Sequence, residues 1–250
     1  NIEAIQNQFH HLVRIVPSEG LIIFPNDEKY LKEVIQKGLW SELAELAWED
    51  RSQPWSVKKL QDDGSRFEIV RNAHKNMDDV EVRTVEWDLI GDHNVQNAFS
   101  ACVAAFHVGV PLLESVKALS TFENVKRRFE KIAEVKNKNN FTVSVYDDFA
   151  HHPSAIESTL SALRSKVGEE NIIAVLEPRS NTMKLGVHGS RMLTACEKAN
   201  EAFWYVGENK ELSSLLDGRN NKTIEDLSAL KNILKEELKE VKKNTHVVIM

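Results

Sequence analysis

The most informative stretch of the chain is FTVSVYDDFAHHPS at residues 141–154. Its first five residues alternate apolar and polar side chains, which is typical of a β-strand, and two aspartates and two histidines follow before Pro153. Ligands of open α/β sheets bind just beyond the carboxyl ends of the strands, and the helix predicted after Pro153 presents an N-terminus suited to phosphate. Taken alone, Asp147 and Asp148 are equally well explained as caps of that helix.

Three further polar clusters stand at the edges of predicted elements. One is GDHNVQNA at residues 91–98, which opens a helix rich in small residues. The second is the basic stretch VKRRFE at residues 125–130, and the third is LEPRSNTMK at residues 176–184, which follows an apolar strand. Together with residues 141–154, these clusters predict a ligand site built from several loops.

The order of the predicted elements indicates an α/β fold in two domains. The chain turns basic and polar after Phe122, so we place a boundary there, giving domains 1–122 and 123–250. In the first domain we predict helices at 2–16, 28–37, 92–108 and 112–120, a strand at 21–24 and antiparallel strands within 55–87, while residues 40–50 are ambiguous. In the second we predict a strand that starts near residue 128, a hairpin turn at 136–140 and a strand that follows the turn. Further strands are predicted at 171–176, 201–206 and 246–250, and helices at 155–167, 190–198 and 223–242. This second pattern is typical of a doubly wound sheet.

The composition argues against some classes of binding partner. The formal net charge of −6 argues against nonspecific nucleic-acid binding, and no apolar run reaches the length of a membrane span, so we expect neither partner. Cys102 and Cys196 lie in helix-like segments and are expected to be buried, reduced thiols, which fits a cytoplasmic location. The chain begins inside a predicted helix and stops in a predicted strand, so we expect it to be part of a longer protein.

In this order, the clusters resemble those of the Mur ligases, the ATP-dependent amide-bond-forming enzymes of peptidoglycan synthesis. The resemblance covers nearly the whole chain, which corresponds to about the second half of such an enzyme. It is strongest toward the peptidoglycan-recycling branch, on QFHHLVR at residues 8–14, DDFAHHP at 147–153 and EPRSNTMK at 177–184. It implies that residues 1–122 are the remainder of a P-loop-type central α/β domain that binds ATP. Residues 123–250 would form a Rossmann-like C-terminal domain, truncated at its end.

The implied reaction joins UDP-N-acetylmuramate to the murein tripeptide L-Ala-γ-D-Glu-meso-diaminopimelate through an acyl phosphate, with ATP and Mg²⁺. No G-x-x-x-x-G-K-[ST] phosphate loop is present in these residues. The resemblance implies that this loop and the magnesium ligands precede Asn1, so we assign no metal ligand and expect the chain to be inactive alone. The oligomeric state is not predicted.

Asn94 and Asn97 lie three residues apart at the start of one predicted helix, so both amides can face one ligand. An Asn side chain offers a donor and an acceptor, which match the N6/N7 edge of adenine. From spacing alone, a helix cap and a buried core amide explain them somewhat better. The resemblance implies contact with adenine, first from Asn97 and then from Asn94 and His93.

Arg127 and Arg128 are predicted at the domain boundary, where guanidinium groups can hold phosphate oxygens when the domains close. A solvated turn or an interdomain ion pair is an equal alternative. The resemblance implies that Arg128 contacts nucleotide phosphates, that Asp148 accepts hydrogen bonds from the ribose hydroxyls, and that His151 lies near the phosphates or substrate. Arg128 and His151 are therefore the candidate catalytic residues. A zinc site among the aspartates and histidines of residues 147–152 is disfavoured, because no metal-binding spacing is present.

Arg179, Asn181 and Lys184 follow a predicted strand end, and two cations with an amide suit a peptide that carries several carboxylates. Exposed cations on a surface loop would be the better explanation without the resemblance, which favours recognition of the tripeptide.

Two other functions stay open. A Mur ligase that adds free L-alanine to UDP-N-acetylmuramate shares a similar stretch at 147–153, but its usual loop carries more arginine than residues 180–183 do here. A non-catalytic nucleotide-binding module would explain the absence of a phosphate loop.

Overall fold

The computed structural model describes residues 1–72, 80–179, 181–185, 189–218 and 220–250, and the backbone alone of Asn181 and Thr182. The chain divides into two compact units, Asn1–Phe122 and Glu123–Met250. None of the helices in these ranges combines the length and apolar character needed to span a membrane.

The first unit is built on a mixed sheet whose described strands follow the order β1-β2-β3-β4-β5. Its strands are β1 (Leu21–Pro25), β2 (Glu42–Trp48), β3 (Trp55–Lys59), β4 (Arg66–Asn72) and β5 (Val80–Glu86), and its helices are α1 (Ile2–Ile15), α2 (Lys29–Gln36), α3 (Asp92–His107) and α4 (Leu112–Leu119). The first three strands pair in parallel, whereas β3, β4 and β5 pair antiparallel, as predicted for residues 55–87. The ambiguous residues 40–50 contain β2.

The core of this unit lies between its sheet and α3 and α4. Phe67 and Ile69 of β4 are fully buried, and Val95, Phe99 and Leu112 of the two helices join them in one cluster. In α3 the buried positions recur every three or four residues, which is the helical period, so one face of the helix supplies the core. The packing leaves the start of α3 at the carboxyl edge of the parallel strands.

The second unit contains a sheet whose described strands follow the order β10-β9-β8-β11-β7-β6. Its strands are β6 (Glu130–Lys136), β7 (Thr142–Asp147), β8 (Asn171–Leu176), β9 (Glu201–Tyr205), β10 (Asn221–Ile224) and β11 (Thr245–Ile249), and its helices are α5 (Pro153–Val167), α6 (Asn181–Lys184), α7 (Ser190–Thr194), α8 (Lys210–Leu216) and α9 (Leu227–Glu240). All of these pairings are parallel except β6 with β7. The strands β6 to β10 follow one another across the sheet in chain order, and β11 returns to lie between β7 and β8.

Two helices predicted for the second unit were wrong in their bounds. The helix predicted at 190–198 ends at Thr194, because Cys196 and Glu197 donate to carbonyls only three residues back, which forms turns instead of a further helical turn. The helix predicted at 223–242 begins at Leu227, where Asp226 caps it by accepting from Ala229 N at 2.7 Å. The residues before it form β10, and α8 was not predicted at all.

Candidate functional site

The second unit has a hollow of about 380 Å³ at the carboxyl edge of its sheet, where β11 lies between β7 and β8. Ile249 at the end of β11 pairs with Asp147 of β7 on one side and with Val175 of β8 on the other. The loops that leave these strands therefore open beside one another. The hollow is lined by Arg127, Asp147, Asp148, Phe149, Ala150, His151, Val175, Leu176, Glu177, Arg179, Tyr205, Leu227, Leu230, Ile249 and Met250.

Three of the predicted site residues line this hollow: Asp148, His151 and Arg179. Arg128 is exposed, and its guanidinium carbon lies 5.8 Å from the centre of the Phe149 ring, which lines the hollow. Lys184 is exposed on α6 and is not among the lining residues. The side chain of Asn181 lies outside the described residues, although its backbone begins α6.

Asp148 is only 7% exposed, and its carboxylate binds backbone amides. Its Oδ2 accepts a hydrogen bond from Phe129 N at 2.8 Å, and its Oδ1 accepts one from Ala150 N at 2.8 Å. The Thr159 hydroxyl lies 3.5 Å from the same Oδ1. A buried carboxylate needs such partners, because an unpaired charge away from water is costly. The predicted role of Asp148 as a helix cap is absent, since His152 caps α5.

The basic residues sit on a tightly bent segment. Arg127 and Phe129 both adopt left-handed backbone conformations, with φ of 61° and 54°. For residues other than glycine this conformation costs roughly 1–2 kcal/mol each, so the surrounding contacts must hold it. Arg127 Nε lies 3.3 Å from Asp147 Oδ2, and its guanidinium carbon is 5.4 Å from the centre of the Phe149 ring. Two cations thus lie within 6 Å of the centre of one aromatic ring.

His151 is exposed at the rim of the hollow. Its Nδ1 lies 2.9 Å from the Phe149 carbonyl oxygen, and its ring centre lies 5.0 Å from that of Phe149. When Nδ1 donates to this carbonyl, Nε2 is the ring atom left to meet a ligand. The arrangement suits a hydrogen bond to an anionic or carbonyl oxygen.

Arg179 is paired with a neighbour that the sequence analysis did not single out. Its Nε and Nη2 lie 2.7 and 2.6 Å from Glu177 Oε2, and both side chains are substantially exposed. A guanidinium held in this way at the edge of the hollow can exchange its internal carboxylate for one on a ligand.

In the first unit, the start of α3 contributes to a separate hollow of about 390 Å³. Its lining includes His93, with Trp48 at the end of β2 and Asp27 and Glu28 in the segment between β1 and α2. Asn97 is exposed, so it is not a buried core amide, whereas Asn94 is partly buried and donates from Nδ2 to the Ile90 carbonyl at 2.8 Å. Neither Asp92 nor Asn94 caps α3, because Gly91 occupies the N-cap position with a φ of 95°.

Gln96 is a candidate that sequence reasoning missed. Its Oε1 accepts from Trp48 Nε1 at 2.9 Å, and it lines the same hollow as His93. Within the described part of the chain its Nε2 is buried without a hydrogen-bond partner, which is uncommon for a buried donor. Its partner lies 48 residues earlier in the chain, so no local pattern reveals the pair.

Neither a metal site nor a reactive thiol is found in the described ranges. Among those residues no group of three or more His, Cys, Asp or Glu side chains could hold a metal ion, so the residues present do not by themselves fit a magnesium site. Cys102 and Cys196 are free and buried, which confirms the prediction. Burial raises the pKa of the Cys102 thiol to about 11 and that of Cys196 to about 12, which makes both poor nucleophiles at neutral pH.

Two family models match the chain in succession. The Mur ligase middle domain matches residues 1–105, and the Mur ligase glutamate ligase domain matches residues 127–250. The chain belongs to the Mur ligase family. The family resemblance and the α/β fold class predicted from the sequence are thereby confirmed.

Among the Mur ligases, two curated relatives carry the name UDP-N-acetylmuramate–L-alanyl-γ-D-glutamyl-meso-2,6-diaminoheptandioate ligase. The one from Escherichia coli K12 is 44% identical over 84% of this chain and 45% of its own length, and the one from Haemophilus influenzae is 42% identical over 81% and 42%. A murein peptide ligase structure from Psychrobacter arcticus 273-4 is 33% identical, with a TM-score of 0.66, over 100% of this chain and 52% of that one. The chain spans about half the length of these relatives.

A further Mur ligase relative bears on the alternative function. The UDP-N-acetylmuramate–L-alanine ligase of Persephonella marina is 30% identical over 96% of this chain and 51% of its own length. It covers more of the chain than the two relatives above, but at clearly lower identity.

Proposed function

We propose that the full-length protein is an ATP-dependent ligase that joins UDP-N-acetylmuramate to L-Ala-γ-D-Glu-meso-diaminopimelate in the cytoplasm. The observation that carries this proposal is the 44% identity, over 84% of the chain, to the Escherichia coli ligase of that name. Mur ligases are ATP-dependent. We assign residues 1–122 to the C-terminal part of the central domain and residues 123–250 to the C-terminal domain.

In the proposed reaction, the muramate carboxylate attacks the terminal phosphoryl group of ATP, and ADP leaves. The amine of the tripeptide then attacks the resulting acyl phosphate, and phosphate leaves as the amide bond forms. Such chemistry needs positioning and electrostatic stabilisation rather than a covalent nucleophile. Magnesium belongs to the proposal through ligands elsewhere in the full-length protein.

We propose nucleotide-contacting residues in each unit. Arg128 binds phosphate oxygens, which its exposed guanidinium can do with two parallel hydrogen bonds, and Asp148 and His151 belong to the same site. Asn97 binds the adenine edge, since its exposed amide offers both a donor and an acceptor, with Asn94 and His93 beside it on α3.

The proposed peptide contacts are Arg179, Asn181 and Lys184, whose cations and amide match the carboxylates of the tripeptide. Support comes from the position of Arg179 at the hollow and from its pairing with the Glu177 carboxylate, which shows that its guanidinium can bind a carboxylate.

The test uses the full-length protein with UDP-N-acetylmuramate, ATP and Mg²⁺, and compares the tripeptide with free L-alanine as acceptor. We expect ADP, phosphate and UDP-N-acetylmuramoyl-tripeptide with the tripeptide, and little product with alanine. Preferential use of alanine would favour the L-alanine ligase supported by the 30% identical relative. Nucleotide binding without product from either acceptor would favour a non-catalytic module.

A further inference from the structure

The bend that carries Arg127 and Arg128 is held by contacts of unequal strength. Asn124 Nδ2 donates to the Arg128 carbonyl at 2.7 Å, and Arg127 N donates to Glu130 Oε2 at 2.9 Å, both at exposed positions. The Phe129 ring stacks on Tyr146, with ring centres 4.4 Å apart and planes 11° from parallel. Stacking fixes the plane of the Phe129 ring but satisfies no backbone group.

The Asp148 carboxylate is the buried contact among them. It accepts from Phe129 N at 2.8 Å while only 7% exposed, and a charge-assisted hydrogen bond in such a place is stronger than one in water. Its other oxygen accepts from Ala150 N, so one carboxylate ties the bend to the loop that carries Phe149 and His151.

The bend determines where the two guanidinium groups lie. Arg128 stands between two left-handed residues, Arg127 and Phe129, so a relaxation of either changes the direction of its side chain. In the bent conformation both guanidinium carbons lie within 6 Å of the centre of the Phe149 ring, at 5.4 and 5.8 Å. A contact that fixes Phe129 therefore also fixes the cations.

We propose that Asp148 is a positioning residue, whose bond to the Phe129 amide holds the bend and thereby presents Arg127 and Arg128 to the phosphates. This inference rests on the proposed function, because it takes the ligand of the arginines to be a nucleotide phosphate. It goes further because it assigns Asp148 an indirect role: Asp148 affects the ligand by holding the arginines in place. A direct contact between Asp148 and the ligand would not depend on the arginines.

A double-mutant cycle in the full-length protein separates the two roles. Asp148→Asn places an amide NH₂ against backbone N–H donors, and we expect it to lower kcat/KM for ATP by roughly 10- to 100-fold, the range for losing a hydrogen bond to a charged group. The arginine variant of the cycle carries Arg127→Ala and Arg128→Ala together and should cost at least as much. If Asp148 acts through the arginines, adding Asp148→Asn to that variant should bring no further loss. Losses that multiply would overturn the proposal.

Hydrogen exchange measured by mass spectrometry tests the same contact without any activity assay. In the full-length protein, Asp148→Asn should raise amide exchange in a peptide spanning residues 124–130 by about 10-fold, while the β8 peptide at 171–176 stays protected. Asp147→Asn is the matched control, because Asp147 meets the Arg127 side chain and not the Phe129 amide. Unchanged exchange in the Asp148 variant would overturn the proposal even in an active ligase.

If Asp148→Asn fails to fold, Asp148→Glu replaces it, because that change keeps the charge and displaces the carboxylate by one methylene. Its 124–130 peptide should still exchange faster than that of the wild type, and equal exchange would contradict the proposal. A wild-type protein without ligase activity would refute the proposed function and leave the exchange result as an independent test of the contact.

Discussion

Substitutions of Arg179 and Glu177 should change KM for the tripeptide in opposite directions. The Arg179 guanidinium is held by Glu177 Oε2, with Nε and Nη2 at 2.7 and 2.6 Å. If Arg179 binds a carboxylate of the tripeptide, Glu177 competes with the peptide for the same donors. Arg179→Ala should then raise KM for the tripeptide, whereas Glu177→Gln should lower it.

The magnitudes follow from the exposure of the pair. The Arg179 and Glu177 side chains are 65% and 40% exposed, and ion pairs of this kind contribute about 0.2–1 kcal/mol. Release of Arg179 by Glu177→Gln should therefore lower KM by no more than about fivefold. Loss of a hydrogen bond to a charged ligand group is larger, about 1.5–3 kcal/mol, so Arg179→Ala should raise KM by roughly 10- to 100-fold.

The assay measures initial rates of phosphate release by the full-length protein as the tripeptide is varied at saturating ATP and UDP-N-acetylmuramate. Arg191→Ala is the control, since Arg191 is an exposed cation of the same unit that does not line the hollow. Neither Arg179→Ala nor Glu177→Gln should change the free energy of unfolding by more than about 0.5 kcal/mol. An increase in KM from both substitutions would refute the reasoning, because Glu177 would then orient Arg179 instead of competing with its ligand.

Three further outcomes are expected. Asn97→Ala in the full-length protein should raise KM for ATP and leave KM for the tripeptide unchanged, and steady-state kinetics with each substrate varied in turn would contradict this if only the tripeptide KM moved. The hydrogen bond from His246 holds the pKa of Glu170 below its usual 4.5, so the pair stabilises the fold above that pH and this stabilisation is lost as the pH falls. Between pH 7 and pH 3, the melting temperature should therefore fall more steeply for the wild type than for His246→Gln. Parallel curves of melting temperature against pH would contradict this linkage. Leu160→Ala should lower the free energy of unfolding by about 2–5 kcal/mol in chemical denaturation, because Leu160 is fully buried. Leu185→Ala is the control and should have almost no effect, because its side chain is 78% exposed. Similar losses in the two variants would show that burial does not set the cost.

The sequence predicts best where local periodicity and burial agree. β7 and β8 alternate or run apolar between clear turn residues, and α3 repeats its buried side chains with the helical period, so these elements follow from the pattern alone. β10 is different, because its residues NKTI are mostly polar. It is a strand because it pairs with β9 and because Trp204 Nε1 donates to Asn221 Oδ1 at 2.9 Å, a tertiary contact that no local window contains.

The candidate site, too, was predictable only in part from the sequence. The positions of Asp148, His151 and Arg179 at strand ends were predictable, because parallel strands bring their carboxyl ends to one edge. The partners of these side chains were not: Asp148 binds an amide 19 residues away, and Gln96 binds an indole 48 residues away. Whether a polar side chain serves a ligand or its own backbone depends on such distant contacts.

The position of β11 has a consequence for biosynthesis. This strand is the last of the described elements in the chain, yet it lies between β7 and β8 in the middle of its sheet. During translation, β7 and β8 emerge from the ribosome well before the strand that joins them, so neither can complete its pairing until Thr245–Ile249 has been made. The second unit should therefore resist protease only late in synthesis, and nascent chains that stop before Thr245 should be substrates for chaperones.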